Sequence, residues 1–400
     1  MPNKTMDYGD LRITLTSDYG WNWDDSGSGA NRSVMVWTPS IQGDMRPLGS
    51  VAFGSGFHEA GGTRASLLVG RNPNSGGNSA VARPVRFEWL WNDKGSGGKH
   101  SGTFWRPVAP DGFVALGDVC TYKWGEPSLN SIWCLRADLV KDGAFPDTDI
   151  WNDRGSGGAW DCSLWQVTPK PVGVSGSESI PVFADTFRFN GAYSRPNSGL
   201  ASVPALSLPK SYTPFTAPVP AVTPTTIPDR GNIYNETNQC AVTLPFTAFF
   251  RPDDRRSLDN IANPFCTVSK SVAWKVEGVW VNDAAGDFTR SQTVKYGISK
   301  EQKEEMQHSV GVEVSVEGGI KAVSYSVSLN YQFTYSSSTS FTEYTEKTVE
   351  EKFTVPEYSA KVLFSKHVWL RGKRSDGSDL SYVEVAANDD THFGGCKLPR

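Results

Sequence analysis

The sequence predicts an all-β protein: a three-repeat, β-prism-like N-terminal domain, a Pro-rich linker, and an elongated β module. Three observations predict it. A D-x-G-S-G turn recurs three times in the first half, a cluster of prolines follows the third copy, and the second half holds a long stretch of strict apolar–polar alternation.

The turn occurs as WDDSGSGANRSVMVWTP, WNDKGSGGKHSGTFWRP and WNDRGSGGAWDCSLWQVTP, opened by Asp25, Asp93 and Asp153. Twelve residues after each aspartate comes a tryptophan: Trp37, Trp105 and Trp165. A Leu-Gly recurs at one further offset as Leu48-Gly49 and Leu116-Gly117, and the third copy lacks it. The copies start about 60 to 70 residues apart, room for roughly four short strands each. Aspartate bonds backbone amides two residues on, and glycine supplies the positive φ of a tight turn. The flanks FEWLW and SVMVW have the aromatic and β-branched character of strands. Three β units packed about a pseudo-threefold axis follow, with their tryptophans inward.

The chain of 400 residues is long enough for two or three domains. Its 39 glycines, 25 prolines and 14 tryptophans, with few helical patterns, fit an all-β protein. A net charge of −4 gives no sign of a nucleic-acid partner. No apolar run is long enough for a membrane helix. The start, MPNKTMDYGDLRITL, lacks a signal-peptide apolar region. A protein made soluble and then released or secreted is expected. The six cysteines show no metal spacing and read as buried thiols, with Cys240 and Cys266 the best disulfide pair if the compartment oxidises. The histidines are scattered, and no zinc-protease or phosphate-loop motif occurs. No enzyme, metal or cofactor is expected.

Seven prolines lie between Pro204 and Pro228. Proline removes donors and stiffens the chain. The expected boundaries are therefore a recognition domain over 1–205, a linker over 206–230 and a second module over 231–400. In the first half, FVALGDVCTYKWGEPSLNSIWCLRADLV, then IWNDRGSGGAWDCSLW, then FNGAYSRPNSG appear in order. This resembles the vacuolar protein sorting-associated protein 62 family over about residues 10–205. The resemblance implies a trafficking role and supplies no catalytic residues. From the residues themselves, the turns are candidates for a receptor site: Asp25, Gly27 and Ser28; Asp93, Gly95, Ser96 and Gly97; Asp153, Gly155, Ser156 and Gly157. Their carboxylates, hydroxyls and amides suit sugar hydroxyls or a lipid headgroup. The competing reading is that they are turns copied with the unit.

From Ser309 the chain reads SVGVEVSVEGGIKAVSYSVSLNYQFTY. Alternation of this kind is the strand signature, and Gly318-Gly319 is a hairpin signal. A two-residue loop there pairs Val314 with Val323, Val312 with Tyr325 and Val310 with Val327, and leaves Lys321 opposite Val316. One face then carries Val310, Val312, Val314, Val316, Val323, Tyr325, Val327, Leu329 and Tyr331. The other carries Glu313, Ser315, Glu317, Ser324, Ser326 and Ser328. Transmembrane strands need about 9–11 residues with this pattern, apolar toward lipid and polar toward a lumen. A lone ribbon has open edges, so insertion requires several copies to close a barrel. In that barrel Glu313 and Glu317 would ring the lumen and favour cations. Before the hairpin, SKEQKEEMQ (299–307) has capping-box form and reads as a short helix or the approach to the strand.

After the hairpin, residues 334–348 hold nine Ser or Thr in fifteen, and a strand with Val355-Pro356 near its start follows. Together, residues 265–372 resemble the aerolysin-like β-pore-forming module, with an insertion hairpin at about 306–335. The resemblance implies a soluble protein that binds a surface glycan or lipid on a target-cell membrane, forms a homo-oligomer and inserts one hairpin per subunit. The alternative is a non-lytic lectin-like or trafficking adaptor.

Overall fold

The computed structural model describes residues 2–54, 56, 58–170, 179–207, 213–297, 301, 312–315, 319–322, 327–328 and 347–400. Strands dominate throughout. Each sequence repeat forms one antiparallel three-stranded sheet. In the first unit β1 (Tyr19–Asp24), β2 (Met35–Pro39) and β3 (Val51–Phe53) pair in order. The second unit has β4 (Arg86–Asn92), β5 (Gly102–Val108) and β6 (Val119–Tyr122). The third has β7 (Trp151–Asn152), β8 (Ser163–Gln166) and β9 (Phe187–Asn190).

The tryptophans at the axis are not those twelve residues past the aspartates. Trp23, Trp91 and Trp151, each two residues before the turn aspartate, meet there. Trp23 stands edge-on to Trp91 at 5.7 Å and to Trp151 at 5.8 Å between ring centroids. Phe104, Leu164 and Val36 fill the space around them. Trp37, Trp105 and Trp165 instead head a small core within each unit, beside Met35 and Val51, Phe87 and Val119, and Val167 and Val203 respectively. A strand alternates faces, so the two tryptophan sets serve opposite sides of their sheets.

The third unit keeps the corner of the other two without the Leu-Gly. Leu48, Leu116 and Ala184 are all buried in one core. A Cβ on Gly49 would sit 2.8 Å from the Gly117 Cα, and one on Gly117 would sit 2.8 Å from the Thr186 Cβ. Trp37, Trp105 and Trp165 pair with Val51, Val119 and Arg188, so Gly49, Gly117 and Thr186 are equivalent. Asp185, just before Thr186, sits at φ 64°. Its carboxylate takes hydrogen bonds from Arg64 Nε at 2.6 Å and Ser66 Oγ at 2.9 Å.

The two halves share one apolar core. Leu11, Ile13 and Leu15 pack with Val242, Leu244, Phe246 and Phe265. The Tyr8 hydroxyl donates to the Thr243 carbonyl at 2.6 Å. The Pro-rich stretch is bound rather than free: Phe215, Val219 and Val222 pack beside Trp274, whose indole donates to the Ala217 carbonyl at 3.0 Å. Proline-fixed extended chain suits such a strap, because few of its backbone groups seek partners.

Beyond the strap lies a six-stranded sheet with unusually long strands: β10 (Ile233–Pro245), β11 (Phe265–Asn282), β12 (Phe288–Tyr296), β16 (Lys347–Val355), β17 (Ser359–Lys373) and β18 (Asp379–Lys397). The order is β10-β11-β17-β18-β12-β16. Between β12 and β16 come the short β13 (Val312–Ser315), β14 (Gly319–Ala322) and β15 (Val327–Ser328). The expected Cys240–Cys266 disulfide is absent. The ladder sets Cys240 opposite Lys270 and Cys266 opposite Leu244, and Cys266 is a free, buried thiol. Burial pushes it up to about 12.

At mid-sheet both ladders of β17 shift register, between Val276 and Gly278 on one side and between Ser365 and His367 on the other. The shifts frame a buried charged cluster. His367 Nε2 is 2.6 Å from Glu277 Oε1. Its Nδ1 lies 2.8 Å from Glu384 Oε1, near enough to pair by charge without the alignment of a hydrogen bond. Lys275 also pairs with Glu384, and Ser365 donates to Glu277. The imidazole is pushed up: burial opposes its charge, but the two glutamates outweigh that. The charged His367 beside it, and then Lys275, bring Glu384 down to about 2. A raised histidine stabilises the fold fully below its unfolded value, and that stability is lost as pH rises through the folded value. The lowered glutamates do the reverse and lose theirs in acid. The cluster is therefore most stabilising between roughly pH 5 and 6.5. Urea unfolding from pH 6 to 9 should show a falling midpoint, and His367→Gln should remove part of that slope while lowering stability at pH 6. An unchanged slope in the variant would contradict a charged His367.

Candidate functional site

The three turns meet at one end of the axis and are wired alike. Each aspartate carboxylate accepts the backbone N–H nine residues on: Asp25 from Val34 at 2.9 Å, Asp93 from Gly102 at 3.2 Å, Asp153 from Cys162 at 3.0 Å. Each aspartate carbonyl accepts the N–H of the turn serine, Ser28, Ser96 or Ser156, at 2.9–3.0 Å. Each serine hydroxyl in turn accepts an N–H two residues on, from Ala30, Gly98 or Gly158. These are self-contained turns of the kind that aspartate, serine and glycine form.

The units then interlock in a cycle. Trp23 Nε1 donates to the His100 carbonyl at 3.0 Å and to Asp93 Oδ2 at 3.2 Å. Trp91 Nε1 donates to the Trp160 carbonyl at 2.9 Å. Trp151 Nε1 donates to the Arg32 carbonyl at 2.7 Å and to Asp25 Oδ2 at 3.0 Å. Backbone bonds repeat the cycle, from Lys99 to Ser26, Asn31 to Arg154 and Ala159 to Lys94. Burial pushes all three turn carboxyls up, and the hydrogen bonds oppose the shift.

The structure thus brings the eleven turn candidates together but turns them differently. Asp25, Asp93, Asp153, Ser28 and Ser96 are buried, and Ser156 is half-buried. Gly27, Gly95, Gly97, Gly155 and Gly157 are exposed. What these turns offer solvent is therefore glycine backbone and the exposed Lys94, Lys99 and Arg154, not the turn carboxylates. Three exposed tryptophans were not singled out by the turn motif: Trp89 and Trp160, which pack against each other, and Trp124 elsewhere.

The second candidate element hangs from one ribbon. β12 and β16 pair antiparallel from Phe288–Val355 to Tyr296–Lys347. The whole stretch 297–346 leaves and returns at the same end of this pair. Of the expected hairpin residues, Val310, Val316, Val323, Tyr325, Leu329, Tyr331, Glu317, Ser324 and Ser326 lie outside the described residues, as does most of 299–307. Val312, Val314, Val327, Glu313, Ser315 and Ser328 lie on strands, but in another register. Val312 pairs with Ala322, Glu313 with Lys321, and Val314 with Ile320. β15 then pairs back onto β14, so the expected two-stranded hairpin is here a three-stranded meander. The rows explain it. Val312, Ala322 and Val327 make one apolar row, and Glu313, Lys321 and Ser328 one polar row.

Among the described residues no group of three or more histidine, cysteine or acidic side chains could hold a metal, and no helix is long and apolar enough to cross a membrane, which says nothing of a β-barrel. Residues 2–217 match the family described as vacuolar protein sorting-associated protein 62. The chain belongs to that family. The match ends inside the Pro-rich stretch, so it covers the three-unit domain and not the long sheet. No curated protein matches. Among solved structures, GNIP1Aa from Chromobacterium piscinae is 25% identical over 47% of this chain, with a TM-score of 0.38. This chain covers 35% of GNIP1Aa's length. Cry35Ab1 is 10% identical over 98% of this chain and 90% of its own, with a TM-score of 0.35.

The wiring makes a differential prediction. Asn in place of Asp25 or Asp93 keeps one acceptor but can set an amide N–H against the indole N–H of Trp151 or Trp23. Asp25→Asn and Asp93→Asn should each lose about 1–3 kcal/mol in chemical denaturation. Asp153 accepts from no axis indole and has Ser156 Oγ at 3.5 Å instead, so Asp153→Asn should lose less. Equal losses at all three would contradict the indole–carboxylate cycle.

Proposed function

We propose that this protein is a pore-forming toxin or defence protein that acts from solution on a target-cell membrane. The three-unit domain binds a surface glycan or lipid, copies assemble into a ring, and each copy gives the stretch between β12 and β16 to a shared β-barrel. One observation carries this reading. The alternating, Ser/Thr-rich stretch is the continuation of a regular antiparallel ribbon, long enough for two crossing strands. A barrel wall can extend from that ribbon without undoing it.

The ribbon's attachment suits release. Most of β12 and β16 is exposed or half-buried; inward, Val294 and Tyr296 pack with Leu363, Tyr296 pairs with Ala386 of β18, Phe353 meets Trp280 at 4.2 Å and Phe393 at 5.0 Å, and Val355 is buried. The competing reading is a non-lytic lectin-like or trafficking adaptor, favoured by the description of the family to which the first half belongs.

Dye release from vesicles made with target-cell lipid extract separates the two, since the pore reading requires leakage and the adaptor none. Single cysteines carrying a polarity-sensitive dye then locate the wall, in a background with Cys240 and Cys396 changed to serine. Dyes at Val312 and Val314 should move to an apolar environment on membrane binding, while dyes at Glu313 and Lys321 stay wet. Leakage with all four responding alike would place the barrel wall elsewhere.

A further inference from the structure

The pseudo-threefold repeat supplies its own internal control at the corners between units. Each corner joins two equivalent positions. One lies two residues before the axis tryptophan: Trp21, Trp89 or Asp149. The other is the residue whose carbonyl receives the neighbouring axis indole: His100, Trp160 or Arg32. Two of the corners hold a polar pair. Arg32 and Asp149 form an ion pair. Trp21 meets His100 edge-on at 5.0 Å, His100 Nδ1 reaches Asp24 at 3.0 Å, and Tyr122 packs against Trp21 at 5.5 Å. The third corner is made of two indoles. Trp89 and Trp160 stand at 78° with centroids 5.5 Å apart, and they remain 46% and 47% exposed.

The backbone of this corner is held on both sides of Trp160. The Trp160 carbonyl is held by the Trp91 indole, and the preceding Ala159 N–H by the Lys94 carbonyl. Asp161, next in the chain, accepts the Tyr193 hydroxyl at 3.0 Å, and the Arg154 guanidinium lies over the Tyr193 ring at 4.6 Å. Two large apolar rings left half in water, where the sister corners hold polar pairs, mark a place for a ligand. Perpendicular indoles give a floor and a wall for one flat ring. A guanidinium opposes a cation, a carboxylate opposes an anion, and both bond hydroxyls.

We infer that the Trp89–Trp160 corner binds a neutral hexose of a surface glycan, its apolar C–H face on an indole and its hydroxyls toward Asp161, Tyr193 and Arg154. The site would supply the recognition step of the membrane-attack reading and rests on that reading for its consequence, but not for its test. No ordering of loops is needed, so little affinity is lost to reorganisation.

The test is retention of the full-length protein on an array of neutral hexose-terminated glycans, with dye release measured in parallel. Wild type should bind a subset. Trp89→Ala and Trp160→Ala should each weaken binding at least tenfold while keeping the wild-type melting transition, and Trp89→Phe should recover part of it. Trp124→Ala, an exposed tryptophan away from the corner, should bind as wild type. No retention of wild type, or equal retention by every variant, would overturn the proposal. So would binding to glycan-free phosphatidylcholine vesicles that is lost in the same two variants, since that assigns the corner to lipid. Glycan binding without leakage would sink the pore reading and leave this site standing. Leakage that survives loss of glycan binding would show that the corner is not the receptor site.

Discussion

The fold of the first half depends on a closed cycle of indole donors. Each axis tryptophan reaches from its own unit to a carbonyl of the next, and two of the three also reach that unit's turn carboxylate. No unit completes its own turn environment, so the domain is stable only when all three close. A buried donor or acceptor left without its partner costs about 1–3 kcal/mol, and truncating a buried tryptophan about 3–5 kcal/mol. The cycle also explains the glycines. Gly29, Gly97 and Gly157 each lie near a carbonyl of the neighbouring turn, Gly155, Gly27 and Gly95 in that order. At Gly155 a Cβ would fall 2.6 Å from Asn31 Oδ1. The D-x-G-S-G motif is thus the contact between units, written once in each.

That explains which parts of the protein its sequence disclosed. The repeat gave three units because the motif makes identical contacts three times, and alternation gave strands because each sheet has two unlike faces. The direction of the aspartates could not be read, since a carboxylate that would suit a sugar suits an indole N–H equally well. The axis tryptophans were hidden by the more regular spacing of Trp37, Trp105 and Trp165. The third corner was hidden because Thr186 replaces glycine, and the neighbouring Asp185 meets Arg64, far away in sequence. The register of β13 and β14 sets Glu313 opposite Lys321, where a two-glycine loop had suggested another. The Pro-rich stretch read as a tether because composition reports stiffness and not what Phe215 or Trp274 will touch.

The two halves divide the work physically. The three-unit domain is cross-linked by donors, aromatic edges and close glycine contacts, and its buried core runs on into the base of the long sheet. The β12–β16 ribbon is tied to the body along one face, by Val294 and Tyr296 toward the end that carries 297–346 and by Phe353 and Val355 toward the other. A rigid body carrying one largely exposed ribbon is a sound design for moving a single segment while the rest keeps its shape.

Hydrogen–deuterium exchange of the full chain, with and without vesicles of target-cell lipid, tests this division most directly. The account predicts slowed exchange over about 306–335 on membrane binding, with amides of the turn cycle, such as Val34, Gly102 and Cys162, unchanged. Unchanged exchange over 306–335 on bound protein, or loss of protection in the turn cycle, would contradict it.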